Sequence, residues 1–278
     1  MIDKKIQEQL RELYNPDGSD LRTMQLELLG LLVEFDRICR KHDIDYWLDS
    51  GTLIGAARHG GFIPWDDDID VCILKKDRKK LLDAMEQELS SPYYYTDANT
   101  TSHHARRYAR LESNRITIER EVPKPGYPGQ TDIRKENIWL DVFFEINGTP
   151  AVSRTVNRFF GPLFRRRYKL IEDGWAKYAL SVILYPIAIL SVWSATIYGR
   201  LFHPNSLIHE FGTGFHSQRM IDDIFPIGHI MFESQDFYAP RNVDSYLKRI
   251  YGNWMELPSK IESHNITRIT VNDIPGKK

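Results

Sequence analysis

The sequence predicts an α/β fold carrying a helical insertion, on three observations. Through about residue 150, apolar residues alternate between a helical period and short β-branched runs. From Ala151 to Phe202 strand signals vanish and long helical stretches take over. A chain of 278 residues, 42% hydrophobic and 27% charged, can also bury one large core or two small ones. Lysine plus arginine number 37 against 38 acidic residues, so the net charge of −1 gives no reason to expect a nucleic-acid partner. Phosphate chemistry, if any, must come from local sites.

In chain order, Met1 to Leu10 is polar and helix-prone and lacks the pattern of a secretory signal. Leu21, Met24, Leu28, Leu31, Leu32, Phe35, Ile38 and Cys39 recur at three- and four-residue steps, which predicts an amphipathic helix over 21–40 with Asp20 as N-cap. A short apolar run at Ile44 to Leu48, a turn at Asp49-Ser50-Gly51-Thr52 and a helix over Leu53 to Arg58 follow. Gly60-Gly61 and Pro64 end that helix, and Asp66 to Leu74 reads as a buried strand that opens acidic.

Further along come a helix at 77–89 and strands at 93–96, 107–112, 115–120 and 137–146, with an irregular loop at 123–129. The helical region breaks at Gly161-Pro162, Gly174 and Pro186. After His203 one helix is clear, Val243 to Tyr251, capped by Asn242 and closed by Gly252. Cys39 and Cys72 lie too far apart in sequence, and too few, to suggest a disulfide framework or a cysteine zinc site. A reducing cytoplasm suits them.

The densest chemistry is YWLDSGTLIGAARHGGFIPWDDDIDVCIL, residues 46–74. On a strand Asp68 and Asp70 share one face, while Ile69, Val71 and Ile73 enter the core. Two carboxylates side by side repel, and a divalent cation relieves the repulsion. Hard oxygen ligands favour magnesium, with manganese as the second choice. A solvated acidic loop is the bland alternative. A calcium loop beginning at Asp66 is discounted because Val71 stands where its sharp-turn glycine belongs.

Gly51-Thr52 at a strand-to-helix turn lets backbone N–H groups approach a phosphate. A phosphate cradle followed one element later by a metal-binding pair is what transfer of a nucleotide-linked phosphoryl group requires. Asp141, in NIWLDVFFEI, interrupts an apolar strand and is the candidate third carboxylate; a buried salt bridge to Arg110 is the competing account of it.

GTLIGAARHGGFIPWDDDIDV strongly resembles the signature of the LicD family of phosphotransferases, whose relatives include the fukutin-related proteins. The likeness extends to WLDVFFE and to the block FESQDFYAPRNVDSYLKRIYGNWMELPS. The resemblance implies a nucleotidyltransferase-like mixed sheet flanked by helices, magnesium, and transfer of a phospho-alcohol such as phosphocholine from a CDP-linked donor to a cell-surface glycan. It implies that Gly51 and Thr52 take the donor phosphates, that Asp68 and Asp70 hold metal, that Asp141 is a third ligand, and that Asp66 and Arg58 support them. It also implies one catalytic domain built from residues 1–150 and 203–278 around the insertion at 151–202.

Three functions compete. In the first an acceptor hydroxyl attacks the donor's β-phosphorus and expels CMP, with Asp141 orienting or deprotonating the hydroxyl. In the second, a nucleotidyltransferase attacks the α-phosphorus and releases pyrophosphate. The third is a non-catalytic, membrane-docked glycan-binding protein, against which the intact carboxylates argue.

Other groups take blander readings. His103-His104, His203, His209 and His216 lack metal-site spacing. Tyr93-Tyr94-Tyr95 reads as strand packing before a choline cage, and Lys248 and Arg249 as a solvated helix face before a phosphate contact. Tyr178 to Tyr198 holds 21 residues without a charge, about 30 Å if helical, preceded by Arg165, Arg166, Arg167 and Lys169. A transmembrane crossing would separate the two ends of one domain. The favoured expectation is a kinked hairpin docked on the cytoplasmic face of a membrane, ahead of a buried helix pair and of a true span.

Overall fold

The computed structural model describes residues 2–97, 108–123, 129–166, 175–261 and 266–272. Helices α1 (Lys4–Tyr14) and α2 (Asp20–Lys41) lead into β1 (Tyr46–Leu48), α3 (Ser50–Ile54), a π turn at Gly55–His59 and β2 (Asp70–Leu74). Then come α4 (Arg78–Glu88), β3 (Tyr93–Thr96), β4 (Ala109–Pro123) and β5 (Thr131–Asn147). Helices α5 (Pro150–Arg166) and α6 (Trp175–Phe202) follow. The chain continues through β6 (Ser206–His209), β7 (Arg219–Met220), α7 (Ile221–Ile224), β8 (Gly228–Phe232), β9 (Gln235–Ala239), α8 (Val243–Tyr251) and β10 (Ile266–Val271).

The strands form a mixed sheet in the order β1-β2-β5-β4-β10, with β3 on β4 and β6-β7 attached to β5, as the α/β reading requires. Only the β2–β5 pair is parallel among the described pairings, and its register sets Asp70 opposite Asp141. β8 and β9 form a separate hairpin. Met24, Leu28, Leu31, Leu32, Phe35, Ile38 and Cys39 of α2 are all buried, the stripe that the sequence period marked, and they pack over β4 and β5. Ile69, Val71 and Ile73 are fully buried beneath them.

Several boundaries differ from expectation. Ser19, not Asp20, caps α2: its Oγ accepts from the Arg22 N–H at 3.2 Å. Pairing in β2 starts only at Asp70, because residues 66–69 form an extended lead-in rather than part of the ladder. The strands expected at 107–112 and 115–120 are one, β4, interrupted by a register shift between Ser113 and Thr117; Arg107 lies outside the described residues. Helix α5 passes through Gly161-Pro162, and α6 passes through Pro186. An internal proline removes one backbone hydrogen bond, and a helix anchored on both sides of it by packing can absorb that loss. The expected break at Gly174, with Arg167 and Lys169, lies outside the described residues, as do His103 and His104. Asn242 and Gly252 bound α8 as read: the Asn242 side chain accepts from the Ser245 N–H, and Gly252 has φ +66°.

The uncharged stretch is therefore one continuous helix rather than a hairpin. Its inner face, with Ala188, Val192 and Ala195, packs on Val156 of α5 and on Ile146, Ile208 and Phe211, forming a small second core. Gly199 brings α6 against the backbone of Asn147 and Gly148, where a Cβ would collide. The opposite face exposes Ile183, Ile187, Leu190, Ile197 and Leu201. By length and composition Val182–Phe202 could cross a membrane. The buried helix pair fails to describe it, since most of its large side chains face outward.

Candidate active site

Two hydrogen bonds, one between backbones and one from backbone to a side chain, bring the acidic loop and the turn before α3 together. The Asp49 N–H donates to the Asp70 carbonyl at 3.0 Å, and the Asp70 N–H donates to Thr52 Oγ1 at 2.9 Å. Ser50 takes a left-handed φ of +49°, a conformation costing about 1 kcal/mol for a residue with a Cβ, which turns the chain sharply from β1 into α3. Gly51 then lies against Asp66: a Cβ there would stand 2.6 Å from Asp66 Oδ2. The glycine is required by close approach of a carboxylate to the first turn of α3, where N–H groups lack intrahelical acceptors.

Carboxylate oxygens of Asp66, Asp67 and Asp68 lie within 4.8 Å of one another. Asp67 is buried and reaches Arg120 Nη2 at 3.3 Å. Burial, then the negative charges of Asp68, Asp141, Asp49 and Asp66 in that order, push the Asp70 carboxyl well above its ordinary value. Asp141 accepts a 2.8 Å hydrogen bond from Arg110 Nε. The salt bridge that competed with a ligand role thus exists, and the same Asp141 stands beside Asp70 in the parallel register. Arg110 lies 3.7 Å from the centre of the Trp139 ring, which fixes the guanidinium. Asp66, Asp68 and Asp141, the other three sequence candidates, thus all act on Asp70. Their hard oxygen donors suit magnesium or manganese.

Arg58 is buried and spends Nη1 on the carbonyls of Trp254, at 2.9 Å, and Glu256, at 2.8 Å. Burial lowers its pKa, opposed by Asp66. His59 next to it is pushed down to about 3 by burial and by Arg58. Gly61 abuts the Glu233 side chain, which accepts from the Phe62 N–H at 3.1 Å and pairs with Arg22 at 2.6 Å. The motif and the C-terminal block are therefore fastened together at several points.

Sequence reasoning treated Asp49 only as a turn residue. It is fully buried, with Oδ2 2.5 Å from Arg219 Nη2 and Oδ1 accepting from the Tyr246 hydroxyl at 2.7 Å. Arg219 also reaches Tyr246 and His209, each at 2.8 Å, and His209 Nδ1 stands 2.5 Å from Glu145. Asp49, Cys72 and His209 come within ligand distance of one another, but the Arg219 guanidinium is already the cation between Asp49 and His209. Burial would raise Asp49; Arg219 first, then His209 and Tyr246, hold it below the usual carboxylate range. A lone acid directly after an all-apolar strand was the available signal, but its partners are about 170 to 200 residues away. Tyr251 of α8, also missed, reaches Ser50 and feels Asp49 and Asp70.

The remaining candidates stand apart from this site. Tyr94 hydrogen-bonds Glu112 and Asn137, and Tyr93 and Tyr95 pack on the core. Arg249 pairs with Asp223 at 3.2 Å on an exposed helix face.

Residues 43–149 match the family described as LicD/FKTN/FKRP, nucleotidyltransferase domain. Over 266 residues, 86% of this chain and 92% of the relative, the sequence is 26% identical to lipopolysaccharide cholinephosphotransferase LicD of Haemophilus influenzae. An uncharacterized protein of Rickettsia prowazekii is 42% identical over 62 residues, 22% of this chain and 23% of that one. Ribitol 5-phosphate transferase FKRP of Homo sapiens is 56% identical over 34 residues, 12% of this chain and 7% of that one.

Proposed function

Residues 43–149 being a LicD family domain, homologous to a cholinephosphotransferase and to a ribitol 5-phosphate transferase, we propose that this protein moves a phospho-alcohol from a CDP-linked donor to a glycan hydroxyl. The acceptor class is a cell-surface glycan precursor such as lipopolysaccharide, teichoic acid or capsule. The observation that carries the reading is the convergence of Asp66, Asp68, Asp70 and Asp141 beside the Gly51-Thr52 turn.

In this reading Asp68, Asp70 and Asp141, with Asp66 beside them, hold magnesium or manganese. The metal, when bound, supplies charge neutralisation on the phosphate oxygens and a more acidic attacking hydroxyl. Gly51 permits close approach to the first turn of α3, whose N–H groups face donor phosphate. Thr52 holds the Asp70 backbone through its hydroxyl. Arg58 supports the donor side by pinning the Trp254–Glu256 carbonyls to the π turn. Asp141, oriented by Arg110, directs the acceptor hydroxyl or takes its proton as it attacks the β-phosphorus and CMP leaves.

The protein acts in the cytoplasm at the inner face of a membrane, in peripheral contact through α5 and α6. Those helices expose Arg154, Arg158 and Arg200 and contain no acidic residue, and α6 also exposes an apolar face. A screen of CDP-choline, CDP-ribitol and related CDP-alcohols in magnesium tests the chemistry. CMP formed only when a glycan acceptor is present is the expected result; pyrophosphate in place of CMP would establish the nucleotidyltransferase instead.

A further inference from the structure

Successive residues of a helix turn by about 100°, so the apolar length of α6 has room for three distinct faces. One packs on the sheet and one is exposed. Between them, Ile189, Trp193, Thr196 and Arg200 line a groove of about 640 Å³ whose far wall is Leu74, Lys75, Lys76, Ile146, Leu207 and Ile221. That volume is typical of a small-molecule site.

The groove is amphipathic. Its walls are mainly aliphatic, with Trp193 and Ile197 at the exposed side, 67% and 55% accessible, so it opens directly onto the outer apolar face of α6. Lys75 is paired with Glu210 at 2.6 Å, and Glu145 in the wall stands 2.5 Å from His209. Lys76 and Arg200 are exposed and have no ion-pair partner among the described residues. An apolar trough that opens on an apolar surface and carries two cations without an ion-pair partner among the described residues suits a hydrocarbon chain with an anionic head, such as phosphate.

We propose that this groove binds the phosphorylated lipid end of the acceptor, the chain lying along Ile189, Trp193 and Ile197 and the phosphate meeting Lys76 and Arg200. Calling that lipid the acceptor's anchor rests on the transferase reading; binding of a phosphorylated chain does not. The placement is workable for an acceptor. The groove meets the end of β2 at Leu74, and Asp70 lies four strand steps away, on the order of 13 Å. A glycan attached to the lipid phosphate would span that gap.

The test is calorimetric titration of the full chain with dodecyl phosphate below its micellar concentration, beside dodecyl maltoside and inorganic phosphate. Dodecyl phosphate is expected to bind at least tenfold tighter than either, with a blue shift of Trp193 emission that Trp193→Phe removes. Thr196→Trp, which fills the groove, and the surface pair Lys76→Glu with Arg200→Glu should each weaken it at least tenfold at unchanged thermal stability. Equal affinity for dodecyl maltoside, equal affinity for inorganic phosphate, or indifference to the surface pair would overturn the proposal. The surface pair also keeps the test decisive if Thr196→Trp does not fold. CMP release with a soluble glycan acceptor, unchanged in Lys76→Glu/Arg200→Glu, reads the transferase reading separately.

Discussion

Two groups of buried and half-buried charge lie next to each other along one face of β2, at Asp70 and at Cys72, and they are built on opposite rules. Around Asp49 the charges are paired off: Arg219 and the Tyr246 hydroxyl hold the Asp49 carboxylate, and His209 stands against Glu145. Around Asp70 the acids Asp66, Asp68 and Asp141 crowd together, with Arg110 on Asp141 and Arg120 on the neighbouring Asp67. Compensated charge joins segments of chain. Crowded like charge is retained at a cost, which a divalent cation would lower. The two groups therefore differ in electrostatics, ion-paired around Asp49 and crowded with like charge around Asp70.

The strongest way to break it is to remove the compensation. Arg219→Met leaves Asp49 buried and unpaired and is expected to cost about 3–5 kcal/mol, read as a loss in chemical denaturation. A variant as stable as the wild type would mean that Asp49 is not held by charge.

Isosteric changes sharpen the contrast, because the same substitution has opposite signs at the two places. Asp70→Asn or Asp68→Asn should lower kcat by on the order of 10²–10³ with unchanged circular dichroism, and Asp70→Asn should raise the metal-free melting temperature by relieving repulsion. Asp49→Asn should lower the melting temperature. Asp141→Asn combines both characters, a severe loss of activity together with weakened stability from its lost charge on Arg110. Near-normal turnover in both Asp68→Asn and Asp70→Asn would remove the carboxylates from the chemistry.

A smaller effect should appear in the pH dependence. The folded state raises the Asp70 pKa, so the stability this group contributes is complete below its ordinary value near 3.8 and is lost as pH rises through the folded value. Asp49 is depressed, so its contribution is present above that ordinary range and lost as pH falls. Calorimetry should therefore show magnesium raising the melting temperature more at pH 8 than at pH 5, with Asp70→Asn abolishing that difference. A magnesium effect independent of pH would separate cation binding from Asp70.

The smallest expected effect is on association. Ile183→Ser with Leu190→Ser should reduce sedimentation with anionic vesicles while leaving CMP release from a soluble acceptor intact. High salt should release the wild type as well. A C-terminal tag protected inside sealed vesicles whose cytoplasmic face points outward would replace docking with a crossing.

What could be read in the sequence follows from how local each signal is. The α2 stripe, the β3 strand and the Asn242 and Gly252 ends of α8 are written in neighbouring residues, and they were legible. So was the convergence of the carboxylates, because the acid run feeds straight into Val71 and Ile73. The joining of 107–112 to 115–120 was hidden, because Ser113 to Thr117 looks like a turn but is a register shift held by pairing on both sides of β4. Continuity of α6 through Pro186 depends on the small core under Ala188 and Val192, which no local pattern announces. Asp49 was hardest, since its meaning lies in Arg219 and Tyr246, brought to it from the far end of the chain.

Those late partners impose an order in time. A ribosome releasing this chain delivers the motif at residues 46–74 long before Arg219, Glu233, Tyr246 and the Trp254–Glu256 carbonyls that Asp49, Phe62 and Arg58 require. Until they emerge, Asp49 lacks the guanidinium and hydroxyl that pair with it, and the π turn lacks its ties to the Trp254 and Glu256 carbonyls. Any chemistry at the acid cluster is thus expected to wait until the chain has emerged through about Glu256.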